Sequence, residues 1–351
     1  MESKILLVLI SASLKFFIKF LWREMSMKYF LGKIGLFVLT LWAAITVNFF
    51  LPRLMPGSPA DAAIAKLSMQ GPVTPAMRNA IYAQFGNPHE SIVGQYFQYL
   101  NQVLHFNFGQ SSTLNQSVAS LIGQKLPWTL ILVGFVTILS FVIGTALGAL
   151  MAWKRGKVID TIGSVGSSFL SAFPAFWLGL ILLYFFGYVG GIFPTSGGFG
   201  ADTTPGWSMA FIGDALNHAV LPGLTILLTS LAGWIMGMRN TMITTLGEDY
   251  VTFAQANGLH SRTVVLKYAA RNALLPNITA FGLVLGGVVG GSVLVETVFQ
   301  YPGIGYLLYQ SVTNHDYSLM QALFLIITVS VLVANFIVDM LYGVFDPRTR
   351  R

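Results

Sequence analysis

The sequence predicts an all-α integral membrane protein with about six transmembrane helices, an N-terminal interfacial helix, a long first outer loop and one helical loop on the cytoplasmic side. Three observations carry that prediction. Hydrophobic residues make up 54% of the 351 and charged residues only 9%, against about a quarter charged in soluble domains. Six runs are apolar over roughly the 20 residues that a helix needs to cross a ~30 Å hydrocarbon core. The basic residues crowd into alternate connections between those runs. A mean hydropathy of +0.69 excludes a soluble enzyme and also disorder, which requires low hydrophobicity. With no cysteine in the chain, disulfides, Cys-ligated zinc, iron–sulfur clusters and thiol catalysis are excluded too.

The first run is Leu31–Leu51. The second is Trp128–Trp153, with Pro127 at its entrance, where a proline costs least. The third, Ile159–Tyr188, is interrupted by Pro174, which bends or breaks a helix. Val220–Met238, Leu275–Val298 and Leu319–Phe345 follow. The earlier stretch Lys4–Trp22 is apolar but carries Lys15 and Lys19 and has no small-residue cleavage site. It reads as an amphipathic helix at the interface rather than a signal peptide. A seventh span, or a start at Met27, are the alternatives. The chain then divides into an N-terminal segment 1–29, the first helix with its outer loop 30–126, a core 127–346 and a tail 347–351.

Orientation follows from Lys and Arg, which stay on the cytoplasmic side. With the first run starting inside, 16 of the 20 basic residues fall on inner segments, and only Arg53, Lys66, Arg78 and Lys125 fall outside. Both termini are then cytoplasmic. The net charge of +7 becomes topology and attraction to anionic lipid, not a nucleic-acid footprint.

The first outer loop, Pro52–Lys125, contains helical spacing at Thr74–Phe85, with Thr74-Pro75 as cap and first turn, and at Ile92–Leu104. The second, Gly190–Asn217, reads as irregular, and the third, Gln300–Tyr317, as a turn and a short helix. The inner loop Arg239–Asn272 is polar with helical spacing. A helix from Thr245 or Glu248 ends near Gly258, and a second runs from Ser261 to Leu274, before Pro276. A stiff polar protrusion of this kind suits docking to a soluble partner, although a solvated linker has the same composition.

This loop carries a resemblance. Glu248-Asp249-Tyr250-Val251-Thr252-Phe253-Ala254-Gln255-Ala256-Asn257-Gly258-Leu259, continuing to Leu275-Pro276, resembles the EAA loop of ABC importer permeases. Ala254, Gly258 and Leu275-Pro276 fit that pattern; Thr252 stands in place of its Glu and Phe253 in place of its first Ala. Met55-Pro56-Gly57-Ser58-Pro59, Phe108-Gly109-Gln110-Ser111, Phe173-Pro174-Ala175-Phe176-Trp177, Phe193-Pro194-Thr195-Ser196-Gly197, Val295-Glu296-Thr297-Val298-Phe299 and Tyr301-Pro302-Gly303-Ile304-Gly305 occur in the same order as in the B-type permeases of dipeptide, oligopeptide and nickel importers. The resemblance spans residues 28–351.

It implies a permease subunit of an ATP-driven importer in a bacterial or archaeal inner membrane. The cargo is a peptide or another small solute, such as an oligosaccharide or a nickel complex. The implied partners are a second homologous permease forming a heterodimer, two ATPase subunits and an extracytoplasmic solute-binding protein, besides membrane lipid. The resemblance also assigns ATPase coupling to the segment that holds Glu248, Asp249, Tyr250, Ala254, Ala256, Gly258 and Leu259, with Gly258 setting the angle between the two helices. Charge at a helix N-terminus accounts for Glu248 and Asp249 nearly as well.

The chain's own chemistry agrees. It contains no Gly-x-x-x-x-Gly-Lys-Ser/Thr loop to cradle phosphates, no nucleophile–base motif, and five histidines without ligand spacing. No cofactor or metal is expected, and ATP hydrolysis falls to another subunit. A stand-alone secondary transporter is the alternative, but it predicts inverted repeats and midplane charges, and neither is evident. Gly144-x-x-x-Gly148, Gly233-x-x-x-Gly237 and Gly282-x-x-x-Gly286-x-x-x-Gly290 allow close helix approach, within this chain or at a seam between subunits. Candidate pathway or gate residues are Phe173, Pro174, Phe176, Trp177, Gly286, Gly290 and Glu296. Asn335 and Asp339 read as structural polar groups, with Asn335 hydrogen-bonding Asp339 one turn away.

Overall fold

The computed structural model describes residues 27–54, 59–69, 71–85 and 91–345. The interfacial helix expected at Lys4–Trp22, the motif residues Met55–Ser58 and the tail from Asp346 lie outside the described residues. In hydrocarbon each backbone N–H and C=O must be satisfied within its own segment. Among the described residues the chain accordingly forms helices and no strand, with one isolated bridge between Gln110 and Ser117.

The first helix, α1, is Met27–Leu54. The outer loop then carries α2 (Pro59–Ser68), α3 (Pro75–Phe85) and α4 (Ile92–Leu104). Capping sets the last two: Thr74 Oγ1 accepts from Met77 N at 3.3 Å, and Ser91 Oγ from Gly94 N at 3.2 Å. The α2 helix was not anticipated. It has proline at its first position, where the missing N–H costs nothing, and it buries Ala60 against Ile81 of α3. After it come α5 (Val118–Trp153), the pair α6 (Val158–Ser171) and α7 (Ala175–Val189), and α8 (Met209–Leu246). The remainder is α9 (Asp249–Ala256), α10 (261–287), α11 (Val293–Val298), α12 (Ile304–Thr313) and α13 (Tyr317–Phe345). Among the described residues five stretches are long and apolar enough to cross a membrane, and six if the bent pair α6–α7 counts as one span.

Three helices extend beyond the apolar runs. α5 begins at Val118, so Pro127 is inside it rather than at its entrance, and the chain widens into a π-helical turn just after, at Leu130–Gly134. α8 begins at Met209, where Ser208 Oγ caps Phe211 N at 3.2 Å, so 209–217 is helical rather than irregular. α10 passes through Pro276 without stopping; its early part, Val264–Ala270, is also a π-helical turn. Pro174 does break its span: α6 and α7 meet at 96°.

Gly144, Gly148, Gly282, Gly286 and Gly290 serve packing within the chain, whereas a Cβ at Gly233 would meet nothing within 4 Å. A Cβ at Gly148 would sit 2.9 Å from Met238 Cβ and 3.0 Å from Arg239 N, so α5 and α8 touch backbone to backbone there. Gly282 faces Val338, Gly286 faces Ala334 and Gly290 faces Ile327, all on α13. Gly286 and Gly290 therefore seat α10 and the residues just after it against α13. At one end of the bundle Val118, Leu121 and Ile122 pack with Ile304, Leu307 and Leu323. At the other, Ala152, Met238 and Met242 pack with Val265, Ala269 and Ala273.

Candidate functional site

The loop between α8 and α10 is a short helix held in place by its own inner face. Gly247 N and Glu248 N return to the carbonyls of Thr244 and Thr245, at 3.0 and 3.2 Å, which ends α8. Glu248 takes an extended conformation as N-cap of α9, with its side chain uninvolved in capping. Asp249 occupies the first turn, where a negative charge meets the positive end of the helix dipole. Val251 and Ala254 are buried against Val264, with Leu246 packed beside them. Asn272 Nδ2 donates to the hydroxyl of Tyr250 at 2.8 Å, pinning α9 to α10.

Gly258 has φ +75° and open space around it. That left-handed conformation suits glycine and disfavours residues with a Cβ. His260 then caps the next helix, its Nδ1 accepting from Arg262 N at 3.3 Å.

The outer face of α9 is apolar at its centre. Phe253 is 70% exposed, and Tyr250 and Leu259 are each 40% exposed. Glu248, Asp249 and Ala256 are exposed beside them. Ala254 does not belong to this face: it is 4% exposed and fixes the loop from within. Phe253 was noted in the sequence only as a departure from the EAA pattern, yet it is the most prominent side chain here.

Two contacts tie this loop to the rest of the bundle. Arg239, near the end of α8, grips Asp160 of α6 with Nε–Oδ1 at 2.6 Å and Nη2–Oδ2 at 3.0 Å. Gly156 N adds a bond to Oδ2 at 3.0 Å. Trp153 Nε1 lies 3.4 Å from Ser261 Oγ, linking the end of α5 to the start of α10.

A profile described as "Binding-protein-dependent transport system inner membrane component" matches residues 144–351, which include the whole of this loop. The chain belongs to that family. Relatives agree over most of their lengths. The oligopeptide transport system permease protein AppB of Bacillus subtilis is 34% identical over 304 residues, 86% of this chain and 92% of that protein. The di/tripeptide transport system permease protein DppB of Pseudomonas aeruginosa is 32% identical over 335 residues, 91% and 97%. The glutathione transport system permease protein GsiC of Salmonella typhi is 32% identical over 317 residues, 90% and 96%. The chain is thus an ABC importer permease component of the inner membrane.

The other residues singled out in this permease separate into two groups. Phe173 stacks on Trp177, ring centroids 5.1 Å apart and planes at 5°, at the bend that Pro174 opens between α6 and α7. Phe176 and Trp177 are exposed there. Glu296 is fully buried. It accepts from Thr129 Oγ1 and from Tyr306 N, both at 3.1 Å, while Thr129 Oγ1 in turn accepts from Ile304 N at 2.7 Å. Gly291, Gly303 and Gly305 crowd around its carboxyl and leave no room for a side chain. Beside it the Tyr301 phenol is pushed above its ordinary pKa by burial and by the Glu296 charge. Glu296 therefore organises the turn after α11.

Asp339 pairs with Lys33 Nζ of α1 at 2.6 Å; the expected partner, Asn335, is not the one used. A further knot was not anticipated. Buried Asp316 accepts from Ser111 Oγ, from Thr113 N at 3.0 Å and from Leu319 N at 3.3 Å. It fastens the Phe108-Gly109-Gln110-Ser111 motif to the start of α13.

Proposed function

We propose that this permease carries a peptide or a comparably small solute, and that α9 is the element through which ATPase subunits drive it. The peptide reading is supported by the names of the relatives, which are peptide, oligopeptide and glutathione permeases. The coupling reading is carried by one observation. A two-turn helix is locked to its own chain by Val251, Ala254 and the Tyr250–Asn272 bond, and it presents Phe253 outward in a polar loop. An apolar anchor on a rigid support is the form a hot spot takes at a protein interface.

On this reading the segment 239–276 faces the cytosol, the termini lie on the same side, and residues 30–126 form the first helix and an extracytoplasmic loop. The chain pairs with a second, homologous permease and two ATPase subunits, and receives its cargo from a solute-binding protein outside. Closure of the ATPases moves α9 as a rigid body, and α8 and α10 carry that motion into the core 127–346.

The test is co-purification and transport. Replacing Phe253 by Asp leaves the permease folded and inserted but releases the ATPase subunits and abolishes uptake, while Phe253→Leu retains both. ATPase retention by F253D at wild-type levels overturns the coupling role. The chain has no cysteine, so Thr252→Cys gives a clean orientation probe: a membrane-impermeant maleimide must label it in inside-out vesicles and not in intact cells.

A further inference from the structure

A groove of about 670 Å³ runs between α5 and α10 at the end of the bundle that carries α9. We infer that it is a binding site for one anionic phospholipid, whose headgroup is held by Lys267 and Arg271. The two cations lie four residues apart on α10, so they share a face. Both line the groove, both are exposed, and neither has a carboxylate within 4.0 Å among the described residues. The rest of the lining is apolar apart from Thr145: Ala149 from α5, Leu266 and Leu274 from α10, and Met238 of α8. The lining thus sets positive charge beside apolar surface, as a phospholipid sets an anionic headgroup beside hydrocarbon.

The depth fits as well. Trp153 and Tyr268 flank this region, 39% and 37% exposed, and such half-exposed indole and phenol rings mark the headgroup level. Lys154, Arg155 and Lys157 lie exposed at the same end of α5, adding to a field that draws anionic headgroups. A bound lipid would wedge α5 against α10, the two helices that Trp153 and Ser261 already join above α9. This rests on the proposed cytosolic placement of that end, where basic residues next to apolar helices meet anionic lipid.

The test is native mass spectrometry of the purified importer titrated with phosphatidylglycerol or phosphatidylcholine. Wild type should retain phosphatidylglycerol preferentially. The double variant K267Q/R271Q should lose roughly 30-fold in its affinity, about five-fold for each cation, with phosphatidylcholine unaffected. The charge-preserving K267R/R271K should behave as wild type. Equal retention of both lipids by wild type, or unchanged phosphatidylglycerol binding by K267Q/R271Q, overturns the site. So does efficient cross-linking of Ala149→Cys to the second permease or to an ATPase, which would mean that protein fills the groove. Lipid retention is read without nucleotide, and F253D complexes can be titrated in the same way, so failure of this site and failure of the coupling role are told apart.

Discussion

The guanidinium of Arg239 holds both carboxylate oxygens of Asp160 across a sequence separation of 79 residues, and the amide of Gly156 completes the cage. Asp160 is 5% exposed and the Arg239 side chain 19%, so the carboxylate is shielded from water and the guanidinium partly so. The pair fastens the entry of the broken span to α8, about two turns before α8 ends at Leu246.

Removing Asp160 leaves a part-buried guanidinium without its partner. Asp160→Ala should destabilise the purified permease by on the order of 3 kcal/mol, seen as a clear drop in its thermal transition. The swapped pair D160R/R239D should regain part of that loss. Stability unchanged by Asp160→Ala would mean that the pair contributes nothing to holding α6 on α8.

Contact at Gly148 and Gly286 leaves no volume for a branched side chain, since Met238 and the backbone of α8 abut one and Ala334 of α13 the other. Gly148→Val and Gly286→Val should each cost about 1–3 kcal/mol through overpacking. Gly233→Ala, which meets nothing within 4 Å, should be neutral or slightly stabilising. Thermal unfolding of the three variants side by side checks the contrast.

At Gly258 the constraint is conformational, because the surroundings are open and only φ is unusual. Gly258→Val should cost about 1–2 kcal/mol locally and tilt α9, so ATPase co-purification falls. Gly258→Asn, which tolerates the left-handed region, should keep most of it. Equal behaviour of Val and Asn would show that backbone conformation is not what this glycine supplies.

Truncating Glu296 strips acceptors from Thr129 and from the amide of Tyr306 within a site that excludes water. Each stranded donor costs about 1–3 kcal/mol, so Glu296→Ala should unfold the turn after α11. Glu296→Gln, which keeps one acceptor and the shape, should be milder. Gly303→Ala should resemble Glu296→Ala, since its methyl would collide with the Glu296 carboxyl and the Thr129 hydroxyl. Protease sensitivity of the loop 299–316 is the direct readout.

Features whose cause is local were visible in the sequence. Pro174 breaks its span because the ring and the missing N–H act within one turn, and Gly258 ends α9 because only its own φ is at issue. The early start of α5 was missed for a different reason. Val118, Leu121, Ile122 and Leu126 do repeat at helical spacing, but Gln124 and Lys125 lower the local hydropathy. The candidate site was legible as a loop and as an EAA resemblance, but not as a face: which of Phe253 and Ala254 turns outward depends on Val264, a residue of the next helix. The long-range polar contacts could not be foreseen at all. Asp160 with Arg239, Lys33 with Asp339 and Ser111 with Asp316 join residues 79, 306 and 205 positions apart, and nothing in a local window links them.

With 38 residues, α8 is continuous from Met209 to Leu246, about 57 Å of rod at 1.5 Å per residue, nearly twice the ~30 Å hydrocarbon thickness. On the proposed orientation its two ends reach past the hydrocarbon on opposite sides of the bilayer, joined by one continuous helix that holds Pro222 in its interior. A rotation of about 10° around its midpoint swings each tip by about 5 Å, in opposite senses. Under the proposed coupling role, a push applied beside Leu246 would move the stretch beside Met209 the opposite way, so far as the helix stays straight through Pro222.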